Sequence, residues 1–315
     1  MHWIKKGHIF KPDGFYSWNK SHAQVPVAEY LKEYGIIRVY FSTRDVYNRS
    51  FPTYVDLEAS NPKNVIKINK KPIMELGSKG TFDDCGIMPS WIINYKKKKY
   101  LYYIGWNVRN TIPYHNCVGL AISENNGKSY KKFSDGPLWD RDYKDPYYSG
   151  TSCVLIDDNK WKNWYLSCTG WHKINNRMEP RYHIKYAESK DGIHWKRDGV
   201  VVIDYKNKEE AGIVKASVII DCGKYKMWYS YRNFKNYRTD KNNSYKIGYA
   251  VSKDGINWKR KDHKIKLGLS AHGWDSQMLA YPHVLKVEDK LLMFYNGNEF
   301  GKSGFGYAEL KNRLN

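Results

Sequence analysis

The sequence predicts an all-β protein built as a five-bladed β-propeller, and three observations support this prediction. A strand-like, aromatic-rich run recurs five times along the 315 residues, at steps of 63, 62, 64 and 66 residues. Apolar and polar residues alternate in the runs, and Asp-Gly or Asn-Gly pairs separate them, as in antiparallel hairpins. No stretch has the periodicity of an amphipathic helix. Regular repetition of four short strands is typical of propeller blades.

The second strand of each predicted blade contains one anchor tyrosine. The anchors are Tyr40, Tyr103, Tyr165, Tyr229 and Tyr295. A first strand precedes each anchor, as in GTSCVLID or VKASVIID, and a third strand follows, as in IKYAES or IGYAVS. The near-identical phrases YAESKDGIHWKR and YAVSKDGINWKR then indicate a third strand, a tight turn and a fourth strand.

The last predicted blade has no fourth strand of its own after FGYAEL. The N-terminal phrase HWIKKGHIF supplies it, because His2-Trp3-Ile4-Lys5 matches His194-Trp195-Lys196-Arg197. We therefore expect residues 2–10 to pair with Phe305–Leu310 and to close the ring, which removes an exposed sheet edge. The whole chain, residues 1–315, then forms a single domain.

The composition is strongly basic, with 53 Lys and Arg against 32 Asp and Glu and a formal net charge of +21. A coding bias toward lysine explains this charge, or the protein has an anionic partner such as a nucleotide-sugar, a phosphorylated or acidic glycan, or a membrane surface. No nucleic-acid recognition motif is present, so no specific nucleic acid is expected.

Five dispersed cysteines without a CxxC pair, and no secretory apolar segment, favour reduced thiols in a cytoplasmic protein. No run is long enough for a transmembrane segment. No metal-binding spacing is recognisable, and neither a metal nor a cofactor is expected. The oligomeric state stays open.

In an up-and-down blade, the loops between the second and third strands share one face with the segments that lead into each first strand. These loops are the longest in the chain, and long loops over a rigid scaffold usually carry function. Aromatic platforms with polar neighbours suit sugar rings. The residues expected to bind a substrate around a central funnel are His22, Arg44, Trp106, Trp171, Arg181, Arg232 and Lys302.

Acidic residues stand at or just before the first strand in four consecutive blades. We call them the lead-in acids: Asp83, Asp84, Asp145, Glu209, Glu210 and Asp275. A single acid at such a position is more often a turn or capping residue. Four blades with this feature favour convergence on the central axis, where paired carboxylates cleave glycosidic bonds. The expected catalytic residues are Asp84, Asp145, Glu210 and Asp275.

These features together resemble glycoside hydrolase families 32, 43 and 130, which are five-bladed propeller glycosidases. Lys144-Asp145-Pro146 resembles the Arg-Asp-Pro motif of those families. The resemblance implies that Asp145 holds the sugar and stabilises the transition state. It also implies that Glu210, or its neighbour Glu209, is the general acid.

The first blade departs from the pattern of those hydrolases, which carry a further Asp there as nucleophile or base. Ser21, His22 and Gln24 occupy the position in this chain, and the nearest acid is Asp13 upstream. A phosphorylase uses phosphate as the nucleophile, and a transferase uses a nucleotide-sugar; both need one acid and several arginines.

Three function classes follow, and the third, a nucleic-acid or membrane-surface binder, rests on the charge alone and requires a basic patch. The first is a carbohydrate-active enzyme acting by hydrolysis, transfer or phosphorolysis, and the resemblance implies a branch associated with bacterial surface polysaccharides. The alternative is a glycan-binding propeller without catalysis, and a failure of the lead-in acids to meet in one pocket would favour it.

Overall fold

The computed structural model describes residues 1–311 and consists almost entirely of β-strands. Helical structure in this range is limited to two 3-10 turns, Lys32–Tyr34 and Asp262–Lys264, and one short helix, α1, at Asn298–Gly301. None of the helices in residues 1–311 is long and apolar enough to cross a membrane. The last residues of the predicted domain, 312–315, lie outside the described range.

The strands form five successive antiparallel groups, which we call units 1 to 5. Unit 1 contains β2 (Ser21–Leu31), β3 (Ile36–Arg44), β4 (Ser50–Glu58) and β5 (Val65–Ile68). Unit 2 contains β6 (Gly86–Tyr95), β7 (Lys98–Val108), β8 (Tyr114–Ser123) and β9 (Lys131–Lys132). Unit 3 contains β10 (Ser149–Asp157), β11 (Lys160–Ile174), β12 (Arg177–Ser189), β13 (Trp195–Lys196) and β14 (Val201–Ile203). Unit 4 contains β15 (Glu210–Asp221), β16 (Lys224–Asn233), β17 (Lys246–Ser252) and β18 (Trp258–Arg260). Unit 5 contains β19 (Ala280–Val287), β20 (Lys290–Asn296), β21 (Phe305–Leu310) and β1 (Trp3–Phe10).

The N-terminal strand β1 completes unit 5, so the predicted pairing of residues 2–10 with Phe305–Leu310 is confirmed. The ladder is antiparallel and runs from the Trp3–Leu310 pair to the Phe10–Phe305 pair. Trp3 is buried and meets Trp228 of unit 4 edge-on. The strand therefore covers the edge of β21 and contributes to the core between two units.

The five anchor tyrosines all lie on second strands and are buried. Two of them require a glycine on the adjacent third strand. A Cβ on Gly119 would lie 2.3 Å from the ring of Tyr103, and one on Gly248 would lie 2.5 Å from Tyr229. The repeated Gly of VGLAIS and IGYAVS thus leaves room for the phenol of the neighbouring strand.

The first strands of the five units meet at the centre of the molecule. Each of these strands contacts the first strand of the next unit, and β19 contacts β2. Every one of them carries at least one register irregularity in its ladder with the second strand. Four of these irregularities contain a non-glycine residue with positive φ, namely His22, Val25, Lys215 and Tyr281. Such bulges re-aim side chains and are common beside functional sites.

Candidate functional site

A pocket of about 480 Å³ lies where the five first strands meet, and all five contribute to its lining. We call it the central pocket. Its apolar surface includes Val25, Met88, Ile104, Leu166 and Val214. Seven phenol groups also line it, from Tyr47, Tyr114, Tyr148, Tyr182, Tyr237, Tyr245 and Tyr281. Its size and its mixture of aromatic and polar groups suit a small ligand such as a sugar.

Arg44 is the cation of the central pocket that has no carboxylate partner among residues 1–311. Its Nε donates to Gln24 Oε1 at 2.8 Å, and Nη1 donates to the carbonyl and side-chain oxygens of Asn48 at 2.9 Å. The guanidinium lies 5.6 Å from the centre of the Trp106 ring. Burial lowers the pKa of Arg44 from its usual very high value, so it stays charged but incompletely solvated. A guanidinium in this state favours an anionic ligand.

His22 lies beside Arg44 in the same lining and is neutral at physiological pH. Burial, and then the charges of Arg44 and Lys302, lower the pKa of His22 to about 4. Its Nδ1 is 2.8 Å from the hydroxyl of Ser21. His22 therefore offers a hydrogen bond to a ligand without adding a second fixed charge.

Arg232 lies behind the tyrosines of the pocket lining and does not face the pocket. Only 1% of its surface is exposed, and its guanidinium lies 3.7 Å from the centre of the Tyr237 ring. Nη2 donates to the carbonyl of Pro180 at 2.8 Å, and none of its described hydrogen bonds goes to a carboxylate. Its positive charge therefore acts on the pocket through Tyr182 and Tyr237, not by contact.

Beside these tyrosines lies an arginine–carboxylate pair that the sequence did not indicate. Tyr237 donates to Glu179 Oε2 at 2.5 Å, and Arg238 Nε donates to Glu179 Oε1 at 3.0 Å. Arg238 and Tyr237 line the central pocket, whereas Glu179 faces an adjoining groove that shares Arg238, Tyr114 and two prolines with it. Burial acts to raise the pKa of Glu179, but these hydrogen bonds prevail and keep it below its usual value.

Of the seven residues predicted to bind a substrate, His22, Arg44 and Trp106 line the central pocket. The other four do not line it, Arg232 included. Trp171 packs against Tyr114 and Tyr148. The Arg181 guanidinium lies 3.9 Å from the centre of the Tyr205 ring. Lys302 forms an exposed ion pair with Glu299 of α1.

The structure does not bring the lead-in acids together in the central pocket, and their catalytic role stays a prediction. None of Asp84, Asp145, Glu210 or Asp275 lines it. The reason is that three of them, Asp145, Glu210 and Asp275, point toward the fourth strands of their own units or the turns beside them, where cations bind them.

Asp145 has the densest set of contacts. Its carboxylate accepts hydrogen bonds from Lys185 at 2.8 Å, Arg197 at 2.9 Å, Tyr165 at 2.8 Å and Ser167 at 2.6 Å. Burial acts to raise the pKa of Asp145, but the bonds from Lys185 and Ser167 prevail and lower it. A carboxylate held in this way is a structural anion at neutral pH and a poor proton donor.

The same arrangement recurs in units 2 and 5. Tyr103 and Lys132 bind Asp83 at 3.1 and 2.7 Å. Tyr295 and Lys5 bind Asp275 at 3.0 and 2.6 Å, so β1 supplies the cation of unit 5. In each case the phenol is the anchor tyrosine of the second strand, twenty residues after the acid.

The pairing is different in unit 4, and Asp84 has no such pairing. Arg260 binds Glu210 through both terminal nitrogens, at 2.6 and 2.8 Å, while the anchor Tyr229 donates to Asp262 instead. Asp84 accepts the backbone N–H of Gly80 at 2.9 Å and forms no ion pair with any residue in 1–311. It is a turn residue of the loop before β6.

Lys215 is a second unpaired cation near the centre. It follows Val214 of the pocket lining, is fully buried, and its Nζ has no hydrogen-bond partner within residues 1–311. Its Nζ lies 5.2 Å from the centre of the Trp91 ring. Burial lowers the pKa of Lys215 to about 8, and His283 nearby has a pKa well below its usual value through burial and the charge of Lys215.

Comparisons with known proteins agree with this architecture. Residues 156–268 match the family model described as the N-terminal domain of glycosyl hydrolases family 32. The chain is 35% identical over 312 residues to the uncharacterized protein Rv1502 of Mycobacterium tuberculosis (strain H37Rv). That alignment covers 99% of this chain and 100% of the mycobacterial protein.

Solved structures share the fold at low sequence identity. A glycosyl hydrolase from Bacteroides ovatus superposes with a TM-score of 0.73 and 15% identity, over 99% of this chain and 94% of that one. A second structure has a TM-score of 0.70 and 15% identity over the same shares. Its description states that the GH130 family of mannoside phosphorylases contains glycoside hydrolases that target beta-1,2 mannosidic linkages in Candida mannan.

Proposed function

We propose that this chain, which belongs to the same family as the mycobacterial protein Rv1502, is a glycoside hydrolase-like propeller and that its central pocket binds an anionic sugar that carries a phosphate or carboxylate group. One observation carries the proposal: Arg44 faces the pocket without a carboxylate partner, and no Asp or Glu lies in the described lining. Arg232 and Lys215 add positive charge from behind that lining. An anion bound at Arg44 would offset the uncompensated charge.

The sugar ring itself has suitable neighbours in the same lining. Trp106 lies beside Arg44, and the seven phenols offer both flat apolar faces and hydroxyl groups. Such surfaces match the apolar faces and hydroxyl edges of a pyranose. The expected pose therefore places the anionic group at Arg44 and the ring among the aromatic side chains.

The experiment compares three anionic ligands, glucose 1-phosphate, glucuronate and UDP-glucose, with a neutral oligosaccharide by calorimetric titration. We expect the anionic ligands to bind more tightly and Arg44→Gln to weaken them about 10- to 100-fold, the effect of one charge-assisted hydrogen bond. Arg49→Gln is the matched control, because Arg49 belongs to the same loop but pairs with Asp45 at 2.8 Å. Equal affinity for neutral and anionic sugars, unchanged by Arg44→Gln, would refute the proposal.

A transferase is the second candidate, and the Tyr237–Glu179 pair favours it. Hydrolysis by two carboxylates requires both to flank the scissile bond, and the described pocket lining contains neither. Transfer needs a base for the acceptor hydroxyl. Tyr237 would accept that proton while passing its own to Glu179. The acceptor oxygen would bond to the anomeric carbon, and the bond from that carbon to the phosphate oxygen would break, with its electron pair leaving on the phosphate. Release of nucleotide from UDP-glucose, abolished by Tyr237→Phe with binding retained, would distinguish an enzyme from a binding protein.

We further propose that units 1 to 5 are the blades of a closed five-bladed propeller and that the chain is one domain. The cyclic contact of the first strands and the pairing of β1 with β21 support this interpretation. A reducing, cytoplasmic location remains part of the proposal, and the five free cysteines are consistent with it.

A further inference from the structure

A cluster of three metal-ligating side chains lies outside the central pocket, beside the junction of units 2 and 3. His115 and Cys117 are two residues apart on β8 and therefore point to the same side of the strand. Their neighbours Tyr114 and Asn116 point the other way and line the pocket. A backbone bridge between Val118 and Trp139 brings Asp140 to the side that His115 and Cys117 face.

The three donor atoms are already close together. Nε2 of His115 lies 2.6 Å from Asp140 Oδ1, and one ligand atom from each of the three residues lies within 4.8 Å of the others. Zinc binds imidazole, thiolate and carboxylate at roughly 2.0 to 2.3 Å in tetrahedral geometry, which places its ligand atoms about 3 to 4 Å apart. To hold zinc, the His115–Asp140 separation would lengthen by roughly 0.5 to 1 Å and the widest separation in the cluster would shorten by about 1 Å.

We propose that His115, Cys117 and Asp140 form a zinc site with three protein ligands and one position open to water. The mixed nitrogen, sulfur and oxygen donors favour zinc over calcium or magnesium, which take oxygen ligands. His115 and Cys117 are buried, whereas the Asp140 side chain is 41% exposed and provides access. On binding, the Cys117 thiol loses its proton to solvent, and the thiolate sulfur donates its electron pair to the metal. His115 Nε2 gives up the hydrogen that it donates to Asp140, so that its lone pair binds the metal while Nδ1 carries the ring proton.

The surroundings hold Asp140 in place for this role. The backbone N–H of Arg141 donates to Asp140 Oδ1 at 2.6 Å, and Arg197 of unit 3 donates to its carbonyl oxygen at 3.1 Å. The Arg141 side chain is the competing cation, at 3.8 Å from Oδ1, but it is more than half exposed and can turn to solvent.

The expected role is structural, since the site does not face the central pocket. Zinc would fasten the segment around Asp140 to β8. The same segment contains Asp142, which accepts the backbone N–H groups of Lys144 and Asp145 and pairs with Arg197 at 2.6 Å. The metal would thus brace the loop that holds Asp145.

The test is a titration of the metal-free full-length protein with Co²⁺, a spectroscopic substitute for zinc. We expect one equivalent to give a thiolate-to-cobalt charge-transfer band with tetrahedral visible bands, and zinc to displace it. Cys117→Ser should remove the charge-transfer band, and His115→Gln should weaken cobalt binding at least about tenfold. Cys153→Ser is the control, because Cys153 is equally buried and belongs to no such cluster within residues 1–311.

Zinc should also raise the melting temperature of the wild-type protein and of Cys153→Ser, but not of Cys117→Ser. Should Cys117→Ser fail to fold, His115→Gln carries the comparison. The proposal is overturned if the wild-type protein gives no charge-transfer band, or if the band survives in Cys117→Ser.

Discussion

In units 2, 3 and 5, an acid before the first strand meets a cation from the fourth strand, whereas Arg44 and Lys215 at the centre meet no carboxylate among the described residues. Both regions are rich in buried charge, but only the first has it neutralised within the protein. Acid–cation clusters that recur from unit to unit have a structural role in the fold. A cation left without a counter-charge at the centre instead indicates a ligand.

The largest effect should come from breaking the densest cluster. Asp145→Asn leaves the buried Lys185 without its anion and Arg197 with Asp142 alone, and we expect a loss of about 3 to 5 kcal/mol in the free energy of unfolding. Urea denaturation measures it, with an unchanged m-value as evidence that the same fold unfolds. Asp84→Asn is the control, and its effect should stay below about 1 kcal/mol. Full stability of Asp145→Asn with lost activity would instead restore Asp145 as a catalytic residue.

At the centre, we expect a substitution to raise the free energy of unfolding instead of lowering it. The folded-state pKa of Lys215, about 8, lies below its ordinary value of 10.5, so the buried ammonium destabilises the fold wherever both states are protonated. Lys215→Met should therefore stabilise the protein at pH 7 by about 3 kcal/mol. Between pH 8 and 10.5 only the unfolded chain keeps the proton, so wild-type stability rises and the advantage of methionine disappears.

Denaturation curves at pH 7 and pH 10.5 measure this difference. Lys99→Met provides the matched contrast, because Lys99 is also buried but forms an ion pair with Glu29. That change should destabilise the protein, since it leaves a carboxylate unpaired. The comparison fails if both lysine substitutions shift stability in the same direction.

A smaller effect is expected where β1 meets unit 5. Lys5→Met leaves Asp275 with the hydroxyl of Tyr295 as its remaining side-chain partner, and we expect a loss of about 1 to 2 kcal/mol. Lys6→Met is a control on the same strand, because Lys6 pairs with the partly exposed Glu309 and should contribute less than about 1 kcal/mol. Thermal unfolding of the two variants, measured side by side, shows which lysine contributes more to stability.

The strand order was predictable because its signals are local. Alternating aromatic and apolar residues mark each second strand, and the match between His2-Trp3-Ile4-Lys5 and the HWKR phrase located the missing strand of unit 5. The direction in which the side chains of the lead-in acids point was not predictable in the same way. It depends on cations about fifty residues later, as Arg197 and Arg260 are for Asp145 and Glu210.

A signal for those clusters was nevertheless present in the sequence. In units 2 to 5 the cation stands two residues after an aromatic residue in or beside the fourth strand, as Lys5 follows Trp3 and Lys132 follows Tyr130. The acid stands twenty residues before the anchor tyrosine in units 2, 3 and 5. The pocket tyrosines gave no such signal, because the chain has 28 tyrosines and the seven that line the pocket come from loops and third strands as well as from one first strand.

The position of β1 has a consequence for biosynthesis. Residues 3–10 leave the ribosome about 300 residues before their partner strand, residues 305–310. Units 1 to 4 can form in sequence during translation, while the strand of residues 3–10 remains unpaired with Trp3 uncovered. A nascent chain released before residue 305 would therefore display an unpaired, tryptophan-bearing strand to chaperones and proteases, and only a chain that includes residues 305–310 could cover it.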